Sequence, residues 1–298
     1  MYDAVIIGCG PAGLTAAIYL LRANRKVLLL EAKNYGGQIV NTLDIENYPS
    51  MMHISGFDFA TKLYEQVESL GGKVVLDKVI RIKNGKKVKK VFTENKEYET
   101  KTIIIATGCH ERKLGLDFED KLIGRGVSYC ATCDGAFFKG KTVAVVGGGN
   151  TAISDALYLS NIAKKVYLIH RSKTFRADER HLELLEQKNN VEFVLFSNVT
   201  KLIGQDRLES IEINSKRMIN VDGLFIAIGQ IPETEFLKKN INLDESGYII
   251  SKENCHTNKD GIFVAGDVRR KKVRQLVTAT SDGAVAAVEA IAYLNRNI

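Results

Sequence analysis

Hydrophobic and polar positions fall into one pattern that occurs twice. Residues 4–32 read AVIIGCGPAGLTAAIYLLRANRKVLLLEA, and residues 143–171 read VAVVGGGNTAISDALYLSNIAKKVYLIHR. Each stretch begins with a short β-branched apolar run and passes through a glycine-rich turn. An apolar helix of about three turns follows, then a second apolar run. Runs that are apolar throughout suit strands buried on both faces of a parallel sheet. With Gly8 set on Gly147, Gly10 falls on Gly149, Gly13 on Ala152, Ala17 on Ala156, Tyr19 on Tyr158 and Val27 on Val166, without a gap. The pattern predicts a βαβ unit in each copy.

Shorter pieces repeat as well. Thr102–Gly108 (TIIIATG) and Gly223–Gly229 (GLFIAIG) read as the closing strands of the two units. Gly261–Asp267 (GIFVAGD) is a third such piece, followed by an expected helix from about Val273 to Leu294. The expected fold is α/β, with two Rossmann-like dinucleotide-binding domains of three-layer ββα type, the second inserted in the first. Residues 1–112 and 238–298 form the first domain and residues 113–237 the second. The segments near Lys113–Leu114 and Gly229–Ile231 are the expected hinges between them.

The turn of each unit has the Gly-x-Gly-x-x-Gly/Ala spacing between strand and helix, the context that makes it specific. The first glycine permits the tight turn, the second lets backbone approach a pyrophosphate, and the third lets helix and strand pack. The helix N-terminus then faces the phosphates. Glu31 ends the first unit, where a carboxylate accepts hydrogen bonds from ribose hydroxyls and repels a 2′-phosphate. The aligned residue of the second unit is His170, followed by Arg171 and then Arg176, cations that suit a 2′-phosphate. The first site should take an adenosine with a free ribose, as in FAD or NAD, and the second NADPH. The strand ending in Gly266-Asp267 puts a carboxylate where it can bond the polyol of a cofactor.

Composition narrows the class. The 298 residues are 45% hydrophobic and 26% charged, the mix of an ordinary globular protein. No apolar run nears the roughly 18 residues of a membrane helix, so no membrane partner is expected. Met1 leads at once into Asp3–Ile7, so no signal or transit peptide is expected, and the setting is cytoplasmic. The net charge of +7 is spread along the chain apart from Lys86–Lys90 and Arg269–Arg274. No nucleic-acid motif accompanies it, and no nucleic acid is expected. Five cysteines include one Cys-x-x-Cys, Cys130-Ala-Thr-Cys133, without a second pair or a spaced histidine set, so no metal is expected. Reversible disulfide chemistry is the sharper reading of that pair. Asp134 beside it is either a proton carrier or a turn aspartate.

Taken together, GCGPAG, Gly36-Gly37-Gln38, Glu46-Asn47-Tyr48-Pro49, Ala106-Thr107-Gly108, Gly124-Arg125-Gly126, CATCDG, GGGNTA, His170-Arg171, Phe175-Arg176-Ala177, Ala227-Ile228-Gly229, Gly266-Asp267 and Arg274-Gln275 run in order through the chain. In this the chain resembles the low-molecular-weight thioredoxin reductases of the bacterial type, FAD-containing pyridine nucleotide-disulfide oxidoreductases. The resemblance implies FAD contacts at Gly8, Gly10, Pro11, Ala12, Gly13, Glu31, Gly37, Gln38, Asn47, Ala106, Thr107, Gly108, Gly266, Asp267, Arg274 and Gln275. It implies NADPH contacts at Gly147, Gly149, Asn150, Thr151, Ala152, His170, Arg171, Arg176, Ile228 and Gly229. It also implies a redox disulfide in which Cys133 faces the flavin and Cys130 attacks thioredoxin, with Asp134 as the acid-base residue. Electrons would pass from NADPH to FAD to the disulfide to thioredoxin as the inserted domain rotates between two states. A homodimer is implied in the same way. Ser172 stands where the family commonly has a second arginine and Ser154 where it has an acid, which leaves NADPH, NADH and ferredoxin open as donors. A ferredoxin-fed thioredoxin reductase is the nearest alternative and a non-enzymatic nucleotide or redox sensor the remote one.

Overall fold

The computed structural model describes residues 1–42, 44–237 and 241–296. The chain divides into two compact units, Met1–His110 with Ile231–Ile298, and Glu111–Gln230.

In the first unit, β1 (Tyr2–Ile7), α1 (Pro11–Arg22) and β2 (Val27–Glu31) form the first βαβ unit; α2 (Gly56–Ser69) and β3 (Val74–Leu76) extend it. A meander of β4 (Val79–Lys83), β5 (Lys89–Thr93) and β6 (Glu97–Ile105) follows. The sheet runs β3-β2-β1-β6-β5-β4. β1 and β6 are parallel, with Ala4 beside Thr102 and Ile7 beside Ile105. Along β1 the side chains alternate, as a pleated strand requires. Ala4 and Ile6 join the core under α1, while Val5 and Ile7 join the core under the meander. Both faces are therefore buried, which is why the strand is apolar throughout.

The chain leaves along β7 (Cys109–Glu111) and enters the second unit through α3 (Glu119–Leu122), β8 (Val127–Ser128) and α4 (Ala131–Asp134). The second βαβ unit is β9 (Thr142–Val146), α5 (Asn150–Ser160) and β10 (Lys165–Ile169), followed by α6 (Glu179–Glu186) and β11 (Val191–Val194). A second antiparallel meander, β12 (Val199–Ile203), β13 (Ser210–Ile213) and β14 (Arg217–Asn220), precedes β15 (Gly223–Ile226). The parallel sheet runs β11-β10-β9-β15-β8. Val143 and Val145 face α5, whereas Ala144 and Val146 face the meander, in register with Ala4 to Ile7 of the first copy. Gly223 beside β9 lies so close to Phe138 that a Cβ there would meet the ring at 2.4 Å.

The return strand β16 (Gln230–Pro232) pairs with β7 as a two-stranded ribbon. The first unit then closes with β17 (Ile262–Val264) and α7 (Leu276–Arg296). β17 lies parallel to residues 103–105 of β6, beyond the part of that strand that β5 occupies. α7 crosses α1 closely, since a Cβ at Gly283 would meet the Ala12 carbonyl oxygen at 2.2 Å.

The limits of these compact units fall a few residues from the expected domain bounds. Residues 231–237 belong with the first unit: Leu237 is fully buried beside Val79 and Ile82, and Thr107 Oγ1 donates to the Glu233 carbonyl. Residue 238, the expected boundary, lies outside the described residues. The outgoing crossing falls between His110 and Glu111, and Leu114 is already tied into the second unit by its amide bond to Glu119 Oε1 (3.0 Å). The basic run Lys86–Lys90 also holds a surprise, because Lys89 is 1% exposed, with its ammonium 5.3 Å from the Tyr293 ring centroid.

Candidate functional site

The fold accounts for two glycines of each turn and leaves the third unexplained. Gly8 has φ of 102°, and a Cβ there would meet the Ala106 carbonyl oxygen at 2.4 Å. Gly147 repeats this with φ of 153° and the Ala227 oxygen at 2.3 Å. A Cβ on Gly13 would lie 1.9 Å from the Gly8 oxygen. Gly10 is different: its φ is −77°, open to any residue, and its nearest neighbour would be Gly37 Cα at 3.8 Å. Gly149, at φ −103°, would meet nothing within 4 Å. A glycine with neither strain nor crowding marks backbone kept bare for something outside the chain. Both bare surfaces lie at the start of a helix, α1 and α5, and a dinucleotide pyrophosphate fits each.

In the first unit the expected residues gather around this turn. Pro11 and Ala12 open α1, with Pro11 where its missing N–H costs nothing. Glu31 accepts from Cys9 N (2.8 Å) and Lys33 N (3.0 Å), which fixes its carboxylate beside the turn. Gly37 backs onto Gly10, and the Gln38 side chain donates to the Cys109 carbonyl. Asn47 Nδ2 donates to Gln275 Oε1 (3.2 Å), so two expected flavin contacts 228 residues apart meet. Ala106, Thr107 and Gly108 follow β6, and Ala106 closes over Gly8. Gly266 N donates to Asp282 Oδ2 (3.1 Å). Arg274 lies 4.1 Å over the Tyr248 ring and donates through Nε to the Asp267 carbonyl. Asp267 Oδ1 is buried and faces Lys271 Nζ at 3.3 Å, with no other side-chain partner among the described residues. Burial pushes the Asp267 carboxyl up, and Lys271 and Arg274 draw it partly back. A carboxylate held on one side and open on the other fits a hydroxyl-bearing cofactor.

In the second unit Asn150, Thr151 and Ala152 begin α5, and Asn150 Oδ1 accepts from Asp178 N (2.8 Å). Arg176 N donates to the Gly148 carbonyl (2.7 Å), which joins its loop to the glycine turn. Arg171 and Arg176 are exposed and make no ion pair among the described residues, so their charges are open to an anion. His170 is used differently. Its ring stacks on Phe175 (4.8 Å), overlies Gly148 and has Nε2 2.9 Å from Ser172 Oγ. Ser172, in place of a cation, thus braces the histidine. Ile228 and Gly229 follow β15 as Thr107 and Gly108 follow β6.

Cys130 and Cys133 form a disulfide with Cα atoms 5.3 Å apart, at the start of and within α4. Both are partly exposed, whereas Cys9, Cys109 and Cys255 are buried and lie outside the disulfide. Burial pushes the Cys9 thiol up, and it pushes Cys255 up to about 12. Neither is a nucleophile at neutral pH. Asp134 stands at the N-cap of the turn after α4 and makes no side-chain capping bond there. Its Oδ2 accepts instead from the Ser128 hydroxyl at 2.6 Å, and Ser128 Oγ also accepts from Cys130 N (3.1 Å). Burial pushes the Asp134 carboxyl up, and the Ser128 bond lowers it in part. Ser128 was not visible as a site residue, since no motif of the chain includes it. Asp155 on α5 was missed too; burial alone pushes it up to about 7.

Comparison with known proteins agrees with this geometry. The family described as pyridine nucleotide-disulphide oxidoreductase matches residues 2–283. A thioredoxin reductase of Mycoplasma genitalium is 43% identical over 296 residues, 97% of this chain and 94% of its own. The crystal structure of a thioredoxin reductase from Streptococcus pyogenes is 42% identical, covers 99% of both chains and superposes with a TM-score of 0.95. A ferredoxin-flavin thioredoxin reductase from Clostridium acetobutylicum is 31% identical, with 99% of this chain and 98% of its own covered and a TM-score of 0.55.

Proposed function

The chain belongs to the pyridine nucleotide-disulphide oxidoreductase family, and from that membership we propose that it is a thioredoxin reductase, carrying electrons from NADPH through FAD to the Cys130–Cys133 disulfide and on to oxidised thioredoxin. The observation that carries the reading is the partly exposed disulfide in a chain with two bare glycine turns. FAD, when bound, supplies the exchange between hydride and dithiol electrons.

The chain's own residues do the rest. Gly10 and the start of α1 admit the FAD pyrophosphate; Glu31 takes the ribose, and Asp267 the polyol. Gly149 and the start of α5 admit the NADPH pyrophosphate, with Arg171 and Arg176 at the 2′-phosphate. Once the pair is reduced, the Cys130 thiolate attacks one sulfur of the thioredoxin disulfide, forms a mixed disulfide and releases one thioredoxin thiolate. Cys133 then attacks the Cys130 sulfur, which re-forms the 130–133 disulfide and releases the second thiolate. Asp134 carries the proton that a leaving thiolate takes. The two crossings at 110–111 and 230–231 are where the inserted unit turns between its two tasks. Homodimer assembly and a cytoplasmic setting come with the family resemblance.

Ferredoxin as donor is the second reading, favoured by similarity to the ferredoxin-flavin enzyme. The bare Gly149 surface and the open cations of residues 171 and 176 favour NADPH. The test is NADPH-dependent reduction of oxidised thioredoxin. Turnover that disappears in both Cys130→Ser and Cys133→Ser supports the proposal. Turnover that survives either substitution overturns it.

A further inference from the structure

Four charges alternate through the turn after β17. Arg269 donates to both oxygens of Asp282 on α7, with Nη2 to Oδ1 at 2.9 Å and Nε to Oδ2 at 3.2 Å. Lys271 Nζ lies 3.0 Å from the same Asp282 Oδ2 and 3.3 Å from Asp267 Oδ1. The Arg269 and Asp282 side chains are each 9% exposed and Lys271 is 8% exposed, while Asp267 keeps 32% open. A buried ammonium persists only when its charge is matched. Asp282 is already matched by Arg269 and takes the Gly266 amide besides. The charge left to balance Lys271 is that of Asp267.

We propose that Lys271 is a positioning residue for the flavin, holding the Asp267 carboxylate ionised and turned so that its open side accepts hydroxyls of the FAD polyol. The proposal rests on the reading that the first unit binds FAD. Lys271 is anchored at one end to α7 through Asp282, so its reach to Asp267 is fixed rather than chosen from many rotamers. The other charges that face Asp267 do not replace it. Arg274 spends its Nε on the Asp267 backbone carbonyl and its guanidinium face on Tyr248, and Asp282 opposes ionisation.

The experiment measures FAD release from the purified holoenzyme, by fluorescence of freed flavin, between about pH 5.5 and 8.5. The native protein, Lys271→Gln and Lys271→Arg are compared, each with and without Asp267→Asn. Burial already pushes the Asp267 carboxyl up and Lys271 draws it back, so without that charge Asp267 takes up its proton at higher pH than in the native protein. In Lys271→Gln, affinity should therefore fall by up to about tenfold per pH unit on the acid side, while the native protein changes little. Lys271→Arg should restore the flat profile, and Asp267→Asn should abolish the slope, since an amide does not titrate. If Lys271→Gln is isolated without flavin, titrating FAD back at both pH extremes reads the same slope. A pH-independent loss in Lys271→Gln, or no loss at all, overturns the proposal and leaves Lys271 as a brace for the turn. Absence of FAD from the native protein would overturn the cofactor reading instead.

Discussion

The Ser128 hydroxyl donates to the Asp134 carboxylate across 2.6 Å. Among the described residues, this contact draws the carboxyl down against its burial. In Ser128→Ala the Asp134 pKa rises further. A hydrogen bond to a charged group contributes about 1.5–3 kcal/mol, so the alkaline limb of the pH–rate profile for thioredoxin reduction, where a proton donor ionises, should move up by about one unit or more. The profile of the variant against the native enzyme checks this; an unmoved limb would mean that Asp134 does not carry the proton.

Asp155 gives a stability prediction with a defined sign. Its folded pKa, about 7, lies above that of an unfolded aspartate. The folded state therefore binds the extra proton, and stability falls as pH rises through 7. Asp155→Asn should raise Tm at about pH 8 by more than at about pH 5.5, a difference of about 1–2 kcal/mol. Thermal melts at the two pH values decide it, and an equal effect at both would place the charge in water.

The two kinds of glycine separate folding from binding. Gly10→Ala and Gly149→Ala should melt within about 1 °C of the native apoprotein, because a methyl has room at both positions. Gly10→Ala should lose FAD, and Gly149→Ala should raise the KM for NADPH by about tenfold or more. Gly8→Ala and Gly13→Ala should fold poorly, since each would drive Cβ into a carbonyl oxygen.

Donor choice is tested at Arg171. Its side chain is exposed and has no ion-pair partner among the described residues. Arg171→Ala should lower the preference for NADPH over NADH by about tenfold, as expected for one charge-assisted bond of about 1.5 kcal/mol or more. Ratios of kcat/KM for the two nucleotides give the answer directly.

Much of the fold could be read from sequence because each copy repeats its signals in one register. The run Ala4–Ile7 is apolar because α1 and the meander bury opposite faces, and Val143–Val146 is apolar for the same reason. The disulfide was legible because cysteines three apart share one turn. What stayed hidden depends on distant packing. Ser128 becomes a partner of Asp134 only when α4 folds back beside β8. Lys89 reads as part of a charged run, yet β5 turns it inward against α7. Lys271 reads as surface charge until Asp282, on another element, reaches it. Residues 231–237 follow the second unit in sequence but bury Leu237 in the first.

The account's central claim is that nucleotide, flavin and the Cys130–Cys133 pair form one electron path. Its most direct test is an anaerobic titration of the purified oxidised protein, first with NADPH and then with NADH, following flavin absorbance and the count of reactive thiols. The account predicts bleaching by NADPH with about two equivalents consumed per chain, one each for flavin and disulfide, and about two thiols exposed. A flavin that resists both nucleotides yet bleaches with reduced ferredoxin would contradict it.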